Sequence, residues 1–477
     1  MAKEAKGILA PDMSPSGTSG ASGTLLDVDH LAVELGERFR TAGFQLYLVG
    51  GAVRDLLMQR PASGELDFTT DARPEETLRV LQGWADRRYL HGIRFGTVGA
   101  WRKDTRLEIT TFRKEVYPED DRHPHVEFST ELEVDLSRRD FTVNAMAVRL
   151  PEREFADPFG GLKDLAAKQI DTPLAPESSF GDDPLRMLRA ARFAASLELI
   201  PVPRVVVGMQ AMADRLSIVS AERIRDELSR LLLASRPGIG LGLIVETGLA
   251  ERFIPELTAL RLEQDPVHRH KDVLLHTYAV VEGCEADLVL RLAALMHDIG
   301  KPSTRAFTSE GVQFHHHEVV GARIAEERLR ALRFPNDVVA EVAKLVEMHL
   351  RFHTYRMGWN DAAVRRYVRD AGPLLDRLNQ LVRADCTTRN VDKAKALAAL
   401  QDDLELRIAR LAEQENLQAI RPPLDGNEVM AHLEIPPGPV VGEALAYLLE
   451  ERLERGPIEK EEAYRLLDEW ARRREPR

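Results

Sequence analysis

Apolar residues recur at helical spacing over residues 26–42, then run together as Leu46, Tyr47, Leu48 and Val49 ahead of two glycines. The first pattern predicts an amphipathic helix and the second, too short for one, a buried strand. Gly50 and Gly51 mark a strand-to-helix turn, a short helical stretch follows, and Glu65, Leu66, Asp67 and Phe68 alternate as a second strand. Residues 74–90 read as a helix, 92–101 as a glycine-punctuated strand, 106–113 as a further strand, and the charged run 114–131 as a mobile loop. Later patterns are helical, including residues 220–232 behind a Ser220 cap and several segments after residue 400, two of them separated by Pro-Pro-Gly-Pro at 436–439.

The fold class expected is therefore α+β, a mixed sheet with helices followed by an all-α remainder. Five segments are anticipated: 1–25 disordered, because Gly, Ser, Thr and Pro bury too little apolar surface; a head, 26–170; a helical neck, 171–258; a helical body, 259–398; and a helical tail, 399–477.

At 477 residues the chain is long enough for about three domains. Its net charge of −12 argues against wholesale coating of nucleic acid but not against a local basic groove. Cys284 and Cys386 stand alone with no CxxC partner, which fits a reducing compartment. No apolar run approaches the roughly 20 residues of a membrane helix, and the N-terminus lacks a signal-peptide core, so a cytoplasmic protein with no membrane partner is expected.

The densest chemistry lies between Leu46 and Thr70. Gly50 and Gly51 remove two Cβ atoms where backbone N–H groups could approach a polyanion, and Arg54 adds positive charge on the first helical turn. Glu65 and Asp67 share one face of a strand, and Glu108 is a candidate third carboxylate. Carboxylates beside a phosphate-binding turn are what metal-dependent phosphoryl or nucleotidyl transfer requires. Arg138 and Arg139 are adjacent, and could pair with phosphate or fix a helix start.

GGAVRD, ELDFTT, GTV, ITTFR, SRRDFTVNA, DPFGGLKDL and GDDPLRMLRAARF follow one another over nearly the whole first half. In order and spacing they resemble the class II tRNA nucleotidyltransferase and bacterial poly(A) polymerase family, whose catalytic head is similar to that of the DNA polymerase beta superfamily. The resemblance implies that Glu65 and Asp67 hold Mg²⁺ with Glu108 nearby, and that Gly50, Gly51, Arg54 and Arg139 receive the triphosphate. The chain departs from the family at Glu65, where Asp is usual, and in the stretch between Arg60 and Glu65, which is one residue longer.

Asp183, Arg186, Arg189 and Arg192 recur every third residue, along one drifting stripe of a helix, which could equally be a salt-bridged surface. A carboxylate accepting from an exocyclic amine and a guanidinium donating to a ring nitrogen fit cytosine and adenine and reject guanine and uracil. The resemblance implies that Asp183 and Arg186 form this protein template for CTP and ATP. Residues 120–128 resemble the flexible loop of enzymes that complete the terminal A, while Glu222 and Arg225 read as structural.

Further on, His276, His297–Asp298, His317, His349 and Asp385 are spread over successive helical patterns. This set resembles the HD metal-dependent phosphohydrolase superfamily. Imidazole and carboxylate suit a divalent metal that the sequence does not identify, and His315 and His316 read as solvated neighbours. DGNEVM and PPGPVVGEAL resemble the tail that grips tRNA in the same family.

The expectation is a Mg²⁺-dependent enzyme that adds CCA to tRNA from CTP and ATP. Its rivals are a poly(A) polymerase or an A-only or CC-only enzyme on the same head, an HD phosphohydrolase with a decayed head, and a non-catalytic RNA-binding factor.

Overall fold

The computed structural model describes residues 28–61, 64–90, 92–116, 125–261, 272–308, 311–386, 391–415 and 420–474. The expected disordered segment 1–25 lies outside them. Two compact units are present: residues 1–139 with 143–162, and residues 140–142 with 163–477.

Among its described residues the first unit has nine strands: β1 (Leu46–Val49), β2 (Glu65–Thr70), β3 (Arg87–Tyr89), β4 (Thr97–Arg102), β5 (Thr105–Thr111), β6 (Arg113–Val116), β7 (His125–Phe128), β8 (Ala147–Leu150) and β9 (Glu154–Ala156). Seven of them form a mixed sheet in the order β3-β4-β5-β2-β1-β8-β9, in which β2 and β5 run parallel. The buried run 46–49 occupies the interior of this sheet as β1. In β5, Leu107, Ile109 and Thr111 are buried while Arg106, Glu108 and Thr110 are less so, the two-residue alternation of a strand with one covered face. Helix His30–Thr41 buries Ala32, Leu35 and Phe39, capped by Asp29, whose carboxylate accepts from the Leu31 N–H at 2.7 Å.

Three expectations need correction. The helix anticipated over 74–90 is only Pro74–Val80, because residues 87–89 pair with β4 as an edge strand. The strand anticipated over 92–101 opens as a 3₁₀ turn, Ile93–Phe95, before β4 begins at Thr97. The ends of the supposed loop 114–131 are strands, with Arg113 paired to Phe128 and Val116 to His125. In the first and third cases pairing with the next strand along the chain overrides a single-segment signal. Residues 117–124, with most of the loop motif, lie outside the described residues.

The second unit is helical apart from two short strand pairs. Five helices carry its central chemistry: Val273–Gly283, Leu288–Met296, His317–Ala331, Asn336–Met348 and Leu375–Asp385. After the long helix Val391–Glu415, the helices Gly426–Leu433, Pro439–Arg455 and Lys460–Arg474 enclose an apolar cluster of their own, including Leu424, Val429, Leu448 and Leu467. The buried Glu415 carboxylate accepts from Arg365 at 2.6 and 2.8 Å and from Arg452 at 3.1 Å, tying the long helix to both sides. Among the described residues, no helix is long and apolar enough to cross a membrane.

Candidate active site and metal centre

In the head, strand register brings the acidic residues together. Asp67 on β2 is the Cα partner of Glu108 on β5, and Glu65 is the partner of Arg106. Partners in register share a face, so three carboxylates and one guanidinium occupy two adjacent rows of the sheet. Glu65 is exposed and Asp67 and Glu108 are half-buried. Burial, together with the Glu108 and Glu65 charges, pushes the Asp67 carboxyl up to about 6, against the opposing pull of Arg139. A carboxylate that resists ionisation beside two others is short of a cation, and an all-oxygen set of this kind fits a hard divalent ion such as Mg²⁺.

Gly50 caps the short helix Gly51–Leu57 at φ 71°. A Cβ there would lie 3.0 Å from Arg139 Nη1 and 3.8 Å from Asp67 Oδ2, so the bare backbone comes directly against the carboxylate face. Arg139 is also 3.5 Å from Asp135, and its Nε is buried without a hydrogen-bond partner. Asp135 is fully buried, accepts from Thr69 at 3.1 Å and from Arg138 at 2.6 Å, and is held below the usual carboxylate range by Arg138 and Arg139 although burial opposes this. It fixes where the two arginines point. Arg54 is turned differently: it is buried and donates to Asn144 at 2.7 Å and Asp55 at 2.8 Å. A Cβ at Gly51 would lie 3.5 Å from it.

The neck residues do not form a single stripe. Asp183 is extended, at φ −140°, between helices Pro176–Asp182 and Leu185–Leu197. Pro184 disfavours a helical Asp183, so the carboxylate stands at the break rather than on a helix. It accepts from the Leu185 N–H at 3.2 Å and from Arg223 at 2.7 Å. Arg186 is buried and donates to Ser179 Oγ at 2.9 Å. Arg189 pairs with Asp140 at 2.6 Å and Arg192 with Glu227 at 2.7 Å. Burial lowers the Arg192 pKa, whereas the Asp140 charge raises that of Arg189. Arg225 bonds Asp226 and the Arg333 carbonyl, each at 2.8 Å, a structural use. Glu222 is exposed.

All six residues of the dispersed histidine and aspartate set converge. His276 lies on Val273–Gly283, His297 and Asp298 follow Leu288–Met296, His317 opens its helix, His349 follows Asn336–Met348, and Asp385 ends Leu375–Asp385. The helix before His297 ends at Met296. His297, His317 and His349 each place Nδ1 within 2.7–2.9 Å of the backbone carbonyl three residues earlier. That bond orients each ring with Nε2 inward, and all three buried Nε2 atoms lack a hydrogen-bond partner. Imidazole nitrogens turned inward together in this way could hold a divalent metal ion. Two groups, His276–His297–Asp298 and Asp298–His317–His349, each bring their ligand atoms within 4.8 Å of one another and share Asp298, an arrangement suited to two ions bridged by a carboxylate. Burial, and then the His297 charge, pushes His349 down to about 3. His297 rises to about 8 because Asp298 and Asp385 outweigh its burial. His316 is exposed, as expected of a neighbour.

Sequence reasoning missed Arg106, Tyr89 and Gly99 in the head, Arg223 and Glu227 in the neck, and Lys301, whose Nζ lies 2.6 Å from Asp298. Lys301 was legible as the last residue of HDIGK and Arg106 by its alternation with Glu108. The others meet their partners from distant segments.

Three family descriptions match in succession: a poly A polymerase head domain over residues 46–171, a probable RNA and SrmB-binding site of polymerase A over 192–260, and an HD domain over 273–415. The chain is 33% identical over 443 residues to the A-adding tRNA nucleotidyltransferase of Deinococcus radiodurans, covering 89% of this chain and 95% of that protein. It is 35% identical over 445 residues to the CC-adding tRNA nucleotidyltransferase of Thermus thermophilus, covering 90% and 94%. The solved structure of the Bacillus stearothermophilus CCA-adding enzyme in complex with CTP aligns at TM-score 0.68 and 26% identity, over 93% of this chain and 97% of that one. With its carboxylate face, its neck and its histidine centre in this order, the chain belongs to the tRNA nucleotidyltransferase family, enzymes with a polymerase-beta-like head and an HD body.

Proposed function

We propose that the chain adds C, C and A in turn to the 3′ ends of tRNA, taking CTP and ATP and releasing pyrophosphate. The observation that carries this reading is the pairing of Asp67 with Glu108 across β2 and β5, with Gly50 and Arg139 against the Asp67 carboxylate. Mg²⁺ held by Glu65, Asp67 and Glu108 would supply Lewis-acid activation of the RNA 3′-hydroxyl and neutralise the triphosphate. The 3′-oxygen forms a bond to the α-phosphorus as the bond to pyrophosphate breaks. Arg139 and the backbone at Gly50 receive phosphate oxygens. Asp183 and Arg186 select the base: the carboxylate accepts from the amine of cytosine or adenine, and the guanidinium donates to the adjacent ring nitrogen. Arg189 and Arg192 shape that helix through Asp140 and Glu227. The helical tail would hold tRNA through phosphate contacts that weaken with salt. A reducing cytoplasm suits the thiols Cys284 and Cys386.

tRNA transcripts ending at the discriminator base, at C and at CC, each given CTP, ATP or both, test this reading. Completion of CCA from the first, stopping there, is expected. A specific observation favours the narrower alternative, since two relatives matching about nine-tenths of the chain are named A-adding and CC-adding. Growth only from CC, or arrest at CC, would establish that alternative instead.

The orphaned imidazole nitrogens favour a second activity, hydrolysis of phosphate or 2′,3′-cyclic phosphate from RNA ends at a divalent-metal pair held by His276, His297, Asp298, His317, His349 and Asp385. Phosphate release from such RNA should disappear in Asp298→Ala and persist in Asp67→Ala.

A further inference from the structure

Arg106 sits where a cation is needed. Its Nη1 is 3.1 Å from Glu65 Oε1 and its Nη2 is 2.6 Å from Glu108 Oε1, so one guanidinium joins two of the three carboxylates. A third contact aims it: Nε donates to the Tyr89 hydroxyl at 2.7 Å, and that hydroxyl lies 3.4 Å from the same Glu108 oxygen. Tyr89 reaches across the sheet because Gly99 stands between them, paired with Tyr89 on one side and Glu108 on the other. A Cβ at residue 99 would fall 2.0 Å from the Tyr89 ring.

This arrangement contributes little to folding. The Arg106 and Glu65 side chains are 41% and 45% exposed, and ion pairs at that exposure add little to stability. Its effect falls on the ligands themselves. Arg106 neutralises Glu65 and Glu108 and repels any divalent ion approaching them. The length of Glu65 matters here, because an aspartate at the same Cα would end about 1.5 Å short and lose the contact.

We propose that Arg106 is a positioning residue, a resident counter-cation that holds Glu65 and Glu108 in the metal-free head and lowers its affinity for a divalent ion. The guanidinium would give way when Glu65 and Glu108 take up a divalent ion, and its bond to Tyr89 would keep it anchored nearby. The proposal rests on the reading of the head as a metal site.

Mn²⁺ binding to the full chain without nucleotide, followed by electron paramagnetic resonance, tests both. The head's share is the binding lost in Asp67→Asn. If nothing is lost, the metal-site reading itself fails. If that share is present, Arg106→Ala should tighten it about tenfold, and Tyr89→Phe should tighten it by a smaller factor. Arg106→Lys, which keeps the charge, should stay within about threefold of the natural chain. The Mg²⁺ concentration giving half-maximal nucleotide addition should fall in parallel in Arg106→Ala. Unchanged or weaker Mn²⁺ binding in Arg106→Ala, with Arg106→Lys behaving normally, would overturn the proposal.

Discussion

His276 Nε2 lies 2.9 Å from Asp385 Oδ1, although the two residues are 109 positions apart. The contact closes the ring of ligands around Asp298, which both metal groups share. Asp298→Ala should therefore empty both positions at once, whereas His349→Ala removes a ligand from one. Metal content per chain, measured by elemental analysis after dialysis, distinguishes the two outcomes.

The same centre should load with a defined pH dependence. His297 is raised to about 8, so below that pH a proton occupies a ligand nitrogen, and metal must displace it. Apparent affinity should rise with pH up to about 8 and then level off, read by Zn²⁺ or Mn²⁺ titration. Stability of the metal-free chain runs the other way. A histidine with a raised folded pKa stabilises fully below its unfolded value near 6.5, and this contribution is lost as pH rises through 8. The loss amounts to about 2 kcal/mol.

Asp67 offers a test in which activity and stability separate. Its folded pKa, about 6, exceeds the unfolded value of about 3.8, so ionised Asp67 destabilises the metal-free fold. The penalty is complete above about pH 6 and fades as pH falls towards 4. Asp67→Asn should abolish nucleotide addition, by about 10³-fold or more. It should also stabilise the metal-free chain by about 3 kcal/mol at pH 7.5, seen in denaturant titration.

Arg223 holds one oxygen of Asp183, and the Leu185 N–H holds the other. Arg223→Ala frees the carboxylate on one side without touching the base. Incorporation of UTP or GTP, relative to CTP, should rise by about tenfold, measured on a tRNA transcript lacking CCA.

Buried Glu227 accepts from Arg192 and lies 3.8 Å from Arg189. Glu227→Ala leaves the half-buried Arg192 guanidinium without this partner and should cost about 1–3 kcal/mol, lowering the denaturant midpoint of the helical unit.

Both centres were visible in the sequence where their chemistry is short-range. Gly50, Gly51, Glu65 and Asp67 occupy one strand–turn–helix–strand unit, and strand alternation alone puts the two carboxylates on one face. The HD ligands were legible as residue types on successive helices, and packing of those helices supplied the convergence. Arg186, Arg189 and Arg192 lie on the helix that the spacing predicts, and Pro184 places Asp183 just before it, near the cap. Asp140, Glu227 and Arg223 then sort the remaining arginines, and no local pattern announces partners from distant segments. Tyr89 was read as part of a helix and lies instead on an edge strand fixed by its pairing with β4.

The close approach of the Tyr89 ring to Gly99 also constrains how this head can change over time. Any side chain larger than hydrogen at 99 evicts the ring, and a smaller residue at 89 leaves the glycine free to vary. The two positions should therefore drift together across descendants of this sequence, and with them residue 106, whose anchor is the hydroxyl at the tip of that ring. A position without a side chain, on a strand that carries none of the three head carboxylates, thus records whether a lineage keeps the Arg106–Tyr89 contact.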